Sequence, residues 1–196
     1  MKSCGALAHR PGAAHLRRTL HDGRLTRIIG GAHAGRDLTS PADRRVRPTA
    51  EPVRGALLDA LDPDLPGARV LDLFAGTGAL GLEAISRGAA RADFVEFRPA
   101  SLHALRANVA ALRVTSRTRV FKRDAMAFAA ALPPAAYDVA FADPPYTAPV
   151  LLERLIAVWR ERRFARVLAV EHARAHVLPA GAWHRSFEET TVTIYR

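Results

Sequence analysis

The chain has 196 residues, enough for one domain with a single substantial core. No apolar run approaches the ~20 residues that span a bilayer, and Cys4, the only cysteine, excludes an internal disulfide and a cysteine-based metal cluster. The formal charge of +10 is carried almost wholly by arginine and points to a polyanionic partner such as nucleic acid, because neutralising phosphates releases their counterions.

Residues 1–24 are rich in Arg, His, Ala and Gly, hold one acid (Asp22) and lack the apolar centre of a secretory signal. They read as a disordered basic arm outside the fold; an Arg-rich organellar transit peptide shares this composition. Residues 25–66 read as a small extension. Thr26–Ile29 forms a strand that turns at Gly30-Gly31, and Gly35-Arg36-Asp37-Leu38 is its hairpin return. Val53, Leu57, Leu58 and Leu61 share one face of a helix, with Thr49 as N-cap and Pro52 in the first turn. Pro63 and Pro66 end it.

From residue 67 the pattern alternates strand and helix to residue 196. Strands are expected at Arg69–Phe74, Ala92–Phe97, Arg119–Arg123, Tyr137–Ala142, Val167–Glu171, Trp183–Glu188 and Thr190–Tyr195. Helices are expected at Leu80–Arg87, Pro99–Leu112, Ala125–Leu132 and Pro149–Arg162. Repeated βα units imply an α/β fold with a mostly parallel sheet and helices on both faces, and the last two strands imply a C-terminal antiparallel hairpin.

Two stretches in this frame carry chemistry. After the first long strand comes Asp72-Leu73-Phe74-Ala75-Gly76-Thr77-Gly78-Ala79-Leu80-Gly81, a G-x-G-x-x-G turn between strand and helix. Glycines there let the backbone bend sharply and approach a ligand closely. Glu96, at the end of the next strand, is placed to accept the hydroxyls of an adenosine ribose. A dinucleotide would bring a pyrophosphate to the helix N-terminus, where Asp72 would repel it. An acid matches the ammonium of an amino-acid moiety better, and S-adenosylmethionine combines that group with a ribose diol and no phosphate. Asp124-Ala125-Met126, after the third strand, is placed to bond the adenine amine and cover its ring; ordinary core packing explains Met126 equally well. The second stretch is Asp143-Pro144-Pro145-Tyr146. Two prolines cannot continue a ladder, so the strand stops and its end fixes the direction of an acid and an aromatic ring. That arrangement suits a flat nitrogenous group.

Asp72–Gly78 together with Asp143–Tyr146 resembles the Rossmann-like S-adenosylmethionine-dependent amino-methyltransferases. More closely, Arg27-Ile28-Ile29-Gly30-Gly31, Gly35-Arg36, Arg47-Pro48-Thr49 with Val53-Arg54, and Leu73–Ser86 resemble the RsmD-type bacterial 16S rRNA guanine-N2 methyltransferases. The resemblance runs from about Thr26 to the C-terminus. It implies a seven-stranded class I methyltransferase fold, transfer of a methyl group to the exocyclic N2 amine of a guanine in small-subunit ribosomal RNA, and release of S-adenosylhomocysteine. It further implies a catalytic clamp of Asp143, Pro144, Pro145 and Tyr146, with Asp143 also lining the cofactor site beside Asp72, Phe74, Ala75, Gly76, Gly78, Glu96, Asp124, Ala125 and Met126. Arg36, Arg47 and Arg54 are then candidates for the RNA backbone. A cytoplasmic monomer acting on ribosomal RNA or the small ribosomal subunit, without membrane or metal, fits these features. Glu51-Pro52, Gly55 and Asp37 depart from the pattern and bear on RNA contacts more than on methyl transfer.

A DNA amino-methyltransferase acting on adenine N6 or cytosine N4 shares both motifs but usually carries an added target-recognition region. A protein-glutamine methyltransferase prefers Asn at the position of Asp143. A non-catalytic RNA-binding assembly protein has no need of both Asp143 and Glu96, and an NAD-type oxidoreductase leaves the Pro-Pro-Tyr bend unexplained. His33, His103, His172, His176 and His184 show no metal-ligand spacing and read as surface or packing residues.

Overall fold

Strands buried on both faces alternate with helices, and the result is three layers. The computed structural model describes residues 26–41, 50–145 and 149–196. The elements are β1 (Thr26–Arg27), β2 (Asp37–Leu38), α1 (Glu51–Ala60), β3 (Arg69–Leu73), α2 (Ala79–Ser86), β4 (Arg91–Val95), α3 (Pro99–Ala111), β5 (Thr118–Phe121), α4 (Ala125–Ala130), β6 (Tyr137–Ala142), α5 (Pro149–Arg162), β7 (Ala165–Ala173), β8 (Trp183–Ser186) and β9 (Thr190–Tyr195).

Seven strands form one sheet in the order β5-β4-β3-β6-β7-β9-β8. The five from β5 to β7 are parallel, and β9 runs antiparallel to both of its neighbours. The expected terminal hairpin is therefore present, with its second strand inside the sheet and β8 at the rim. The backbone N–H of Phe187 donates to the carbonyl of Thr190 at 2.7 Å, which closes the turn and stops β8 at Ser186 rather than Glu188. One face is filled by Val70, Phe94 and Phe141 against Leu57 and Leu58 of α1, Leu82 and Ile85 of α2, and Leu105 and Val109 of α3. On the other, Leu71, Leu73, Val95 and Ala140 pack against Phe128 of α4 and Leu155, Ile156 and Trp159 of α5. Fully burying each large side chain stabilises by roughly 1.5–3 kcal/mol. The Trp159 indole also donates to the carbonyl of Ala165, which starts β7 two residues before the apolar run at Val167.

The N-terminal hairpin is riveted to α2. Glu83, fully buried, accepts the N–H groups of Ile29 at 2.8 Å and Gly30 at 2.7 Å. The Ser86 hydroxyl donates to the carbonyl of Gly30 and accepts the N–H of His33. Gly31 has φ +76°, and a Cβ there would lie 1.9 Å from the Ser86 carbonyl oxygen, so only glycine permits this approach. The glycines of Arg27–Gly31 thus serve docking. The N-cap of α1 is Ala50, without a side-chain bond; Thr49 lies outside the described residues.

The same docking overturns one expectation. Arg54, read from sequence as an RNA contact, is fully buried, donates through Nη2 to the carbonyl of Arg27 and has Nε 3.8 Å from Glu83. A guanidinium and a carboxylate buried together must neutralise one another, because desolvating either alone costs several kcal/mol. Arg54 is a fastener between the extension and α2.

Candidate active site

The sheet register collects the predicted site residues on one edge. Leu73 pairs with Val95 on one side and Ala142 on the other, and Val95 pairs with Phe121. The residues that follow these partners are Phe74, Glu96, Asp143 and Lys122, so four adjacent strands release their loops side by side. Between β3 and β6 the strand order reverses, which opens a crevice at the carboxyl edge of an α/β sheet. Asp143 and Pro144 stand on one wall of it, and the glycine loop forms the other.

Two neighbours of that loop explain its shape. Phe74 and Gly76 both adopt left-handed backbone angles, φ 60° and 55°, a conformation that is strained for a non-glycine residue and persists only where surrounding structure fixes it. The fixing bonds run from the N–H of Ala75 to the carbonyl of Val95 at 3.0 Å and from the N–H of Gly78 to the carbonyl of Ala75 at 2.7 Å. Gly78 and Gly81 are needed for packing: a Cβ on either would come within 2.4 Å of Leu105 or Phe94. Gly76 differs. Its Cβ would meet nothing nearer than the Phe74 carbonyl oxygen at 3.9 Å, so its face is open to a ligand.

Glu96 is the loop's clamp. Its Oε2 accepts the N–H of Gly76 at 2.9 Å, while Oε1 accepts those of Phe97 at 2.9 Å and Arg98 at 2.8 Å. A carboxylate offers about four acceptor positions, so one remains on Oε2, enough for a single ribose hydroxyl. Asp72 lies beneath the loop and accepts the N–H of Gly81 at 2.9 Å. Burial pushes its carboxyl up to about 8; the Gly81 bond opposes this and the charge of Glu96 adds to it. Two buried acids beside an open glycine face favour a cationic ligand over a pyrophosphate, because a cation draws the proton from Asp72 and an anion would hold it there. The donor set therefore fits S-adenosylmethionine, whose amino-acid ammonium would answer Asp72.

Asp124 is exposed and caps α4, with Oδ1 accepting the N–H of Ala127 at 2.8 Å. Ala125 is buried, and Met126 is partly buried against the α4–α5 core, so both alternatives for Met126 remain compatible with its position. Sequence reading missed Phe97, a 59% exposed ring directly after Glu96. Its apolar neighbours Phe94 and Val95 make it look like the continuation of β4, but β4 ends at Val95 and leaves the ring in solvent at the crevice. Pro144 is buried and Pro145 exposed, as a stiff bend leaving the sheet requires. Tyr146 and Arg47 lie outside the described residues. Arg36 is exposed and donates to the carbonyl of Ala111. Asn108 binds the Thr77 carbonyl of the glycine loop at 3.0 Å while exchanging two bonds with the backbone of Thr39, so the loop and the extension share one fastener. Among the described residues no cluster could hold a metal ion, and no helix is long and apolar enough to cross a membrane.

Comparison with known proteins adds an independent line. Residues 26–193 match the family described as Conserved hypothetical protein 95. Ribosomal RNA small subunit methyltransferase D of Escherichia coli is 41% identical over 129 residues, which cover 66% of this chain and 64% of that protein. The Bacillus subtilis protein YlbH is 34% identical over 157 residues, covering 78% of this chain and 85% of YlbH. Among solved structures, the yhhF protein of Escherichia coli superposes with a TM-score of 0.74 at 34% identity, over 86% of this chain and 96% of that one.

Proposed function

We propose the reaction from one premise, that this chain belongs to the Conserved hypothetical protein 95 family: it is an S-adenosylmethionine-dependent ribosomal RNA methyltransferase, and its acceptor is the exocyclic N2 amine of a guanine in small-subunit RNA. The observation that supports the acceptor assignment is the Asp143-Pro144 bend, which leaves β6 beside the open face of the glycine loop. That neighbourhood supports a carboxylate and a carbonyl facing the methyl donor.

When bound, S-adenosylmethionine supplies an electrophilic methyl group and leaves as S-adenosylhomocysteine. The protein's task is positioning. A guanine amine is a poor nucleophile because its lone pair is delocalised into the ring. The Asp143 carboxylate and the Pro144 carbonyl accept its two N–H bonds and draw the nitrogen toward tetrahedral geometry; once methylated, the nitrogen releases one of these two protons to solvent. Each bond to an ionised acceptor is worth roughly 1.5–3 kcal/mol, about one to two orders of magnitude in rate when it forms in the transition state. Tyr146 stacks on the extruded base, Glu96 and Phe97 hold the adenosine, and Asp72 faces the ammonium. Arg36 and Arg47 meet the RNA backbone. The protein acts as a monomer.

Incubation with labelled S-adenosylmethionine and small-subunit particles from a strain lacking the activity places label in 16S RNA as N2-methylguanine. Asp143→Ala reduces transfer by about one to two orders of magnitude while cofactor binding survives. Label confined to DNA or protein, or full activity in the variant, overturns this reading.

A further inference from the structure

The edge of the sheet opposite the crevice carries a row of arginines. Arg69 and Arg91 begin β3 and β4 and are paired in register; Arg119 is the second residue of β5, Arg166 the second of β7, and Arg196 follows the last residue of the antiparallel β9. In that row β6, between β3 and β7, presents an acid, Asp138. Neighbouring strands lie about 4.8 Å apart, so strand order turns five positions scattered along the chain into one line of guanidinium groups.

Three aspartates fix these side chains without covering them. Asp93 is buried, accepts both forks of Arg119 and the Tyr137 hydroxyl, and leaves the Arg119 side chain 62% exposed. Asp138 holds Arg69, and Asp64 holds both Arg166 and Arg196. Arg91 and Arg160 are exposed and make no side-chain bond among the described residues. A cavity of about 180 Å³ opens between Arg69, Arg91 and Arg119, with Asp93 and Tyr137 in its wall. A second, of about 310 Å³, lies among Arg160, Arg163 and Arg196, where the Arg163 guanidinium is stacked 4.7 Å above the Trp159 ring. Seven arginines thus face three aspartates on one edge. Planar forks already ordered by carboxylates lose little entropy on meeting further oxyanions, and guanidinium matches phosphate geometry.

We propose that this amino edge is a second RNA-contact surface, which grips the phosphodiester backbone of the substrate RNA at a stretch distinct from the one that delivers the target base. The proposal rests on the ribosomal RNA reading. The five residues of β3 separate the two edges by about 17 Å, so a folded RNA can touch both. Attraction to phosphate alone is independent of sequence; the amino edge therefore adds affinity and orientation, and base selection stays at the crevice.

The test is Arg91→Ala/Arg160→Ala, which removes two arginines of this edge, one from the row and one from the end of α5, that carry no ion pair among the described residues, and leaves every ion pair of the others intact. Its control, Arg106→Ala/Arg154→Ala, removes the same charge from exposed positions within α3 and α5. Binding of a small-subunit RNA transcript is measured by filter retention from 50 to 300 mM KCl, alongside methyl transfer. The edge variant weakens RNA binding about tenfold or more at 150 mM KCl and lowers the slope of log K against log salt by about 1.4–1.8, the value for two phosphates. The kcat at saturating RNA and the affinity for S-adenosylmethionine remain those of the parent. Equal loss in edge and control variants, or none in the edge variant, overturns the proposal. Binding without any methyl transfer by the parent protein overturns the ribosomal RNA methylation reading instead, and the comparison of variants still decides the edge.

Discussion

Replacing Asp72 by Asn tests whether the floor of the crevice is poised for a cation. In the folded protein without ligand, burial raises this carboxyl from 3.8 to about 8, which corresponds to on the order of 5 kcal/mol against the charged form. The folded-state pKa lies above the unfolded one, so the group's contribution to stability is fully present below the unfolded value. It is lost as pH rises from about 4 toward 8, because across that window the unfolded chain has released a proton that the native state retains. The amide introduced by Asp72→Asn keeps the oxygen that accepts the Gly81 N–H and cannot ionise. Thermal unfolding of both proteins at intervals from pH 5 to 9 should show the variant gaining on the parent up to about pH 8 and the gap levelling off beyond it. At about 2–4 °C per kcal/mol for a chain of this size, the gap should reach on the order of 10 °C near pH 8. Added S-adenosylmethionine should reverse the ranking, since its ammonium is answered by a carboxylate and not by an amide. A gap independent of pH, or equal stabilisation of both proteins by the cofactor, would refute the reasoning.

Three further perturbations separate docking from chemistry. Glu83→Gln removes the acid that acts most strongly on buried Arg54 and should cost up to about 3–5 kcal/mol in urea unfolding, with the amides of Ile29 and Gly30 exchanging faster. Gly31→Ala forces a Cβ to within 1.9 Å of the Ser86 carbonyl at a left-handed φ; a loss of about 1–3 kcal/mol is expected, seen as a fall in melting temperature. Phe97→Ala removes the exposed ring beside Glu96, and stacking of about 1–3 kcal/mol per base predicts roughly tenfold weaker cofactor binding by calorimetry, with kcat at saturating cofactor unchanged and fold stability kept.

What sequence reading recovers and what it misses divide along a physical line. The βα alternation is legible because strands such as Val70–Leu73 and Val139–Ala142 are buried on both faces and read as apolar runs, interrupted in the first only by Asp72. The glycine turn is legible because left-handed angles and close approach restrict the residue type at Gly76, Gly78 and Gly81. The end of β5 is misread: the sequence pattern extends it through Lys122 and Arg123, but Asp124 takes the cap of α4 and draws them out of the ladder. Arg54 is misread for a deeper reason. Its partner Glu83 is distant in sequence, and nothing local distinguishes an arginine that will be buried by docking from one that will stay in water.

The arginines make the same point for function. A net charge of +10 predicts a polyanion but not where it lands. The motif that looks most like an RNA contact, Arg47 to Arg54, places its last arginine inside the protein, while Arg69, Arg91, Arg119, Arg166 and Arg196 each look like an unremarkable strand end. Only the order β5-β4-β3-β6-β7-β9, in which β3 lies beside β6 and β7 beside β9 rather than beside the next strand in the chain, brings them into line. Charge in this protein therefore follows topology: crevice acids sit toward the carboxyl edge of the parallel strands, and the row of guanidinium groups sits at their amino edge. A substrate that is anionic along its backbone and carries one nucleophilic amine is matched by that polarity as a whole, with attraction at one edge and chemistry at the other.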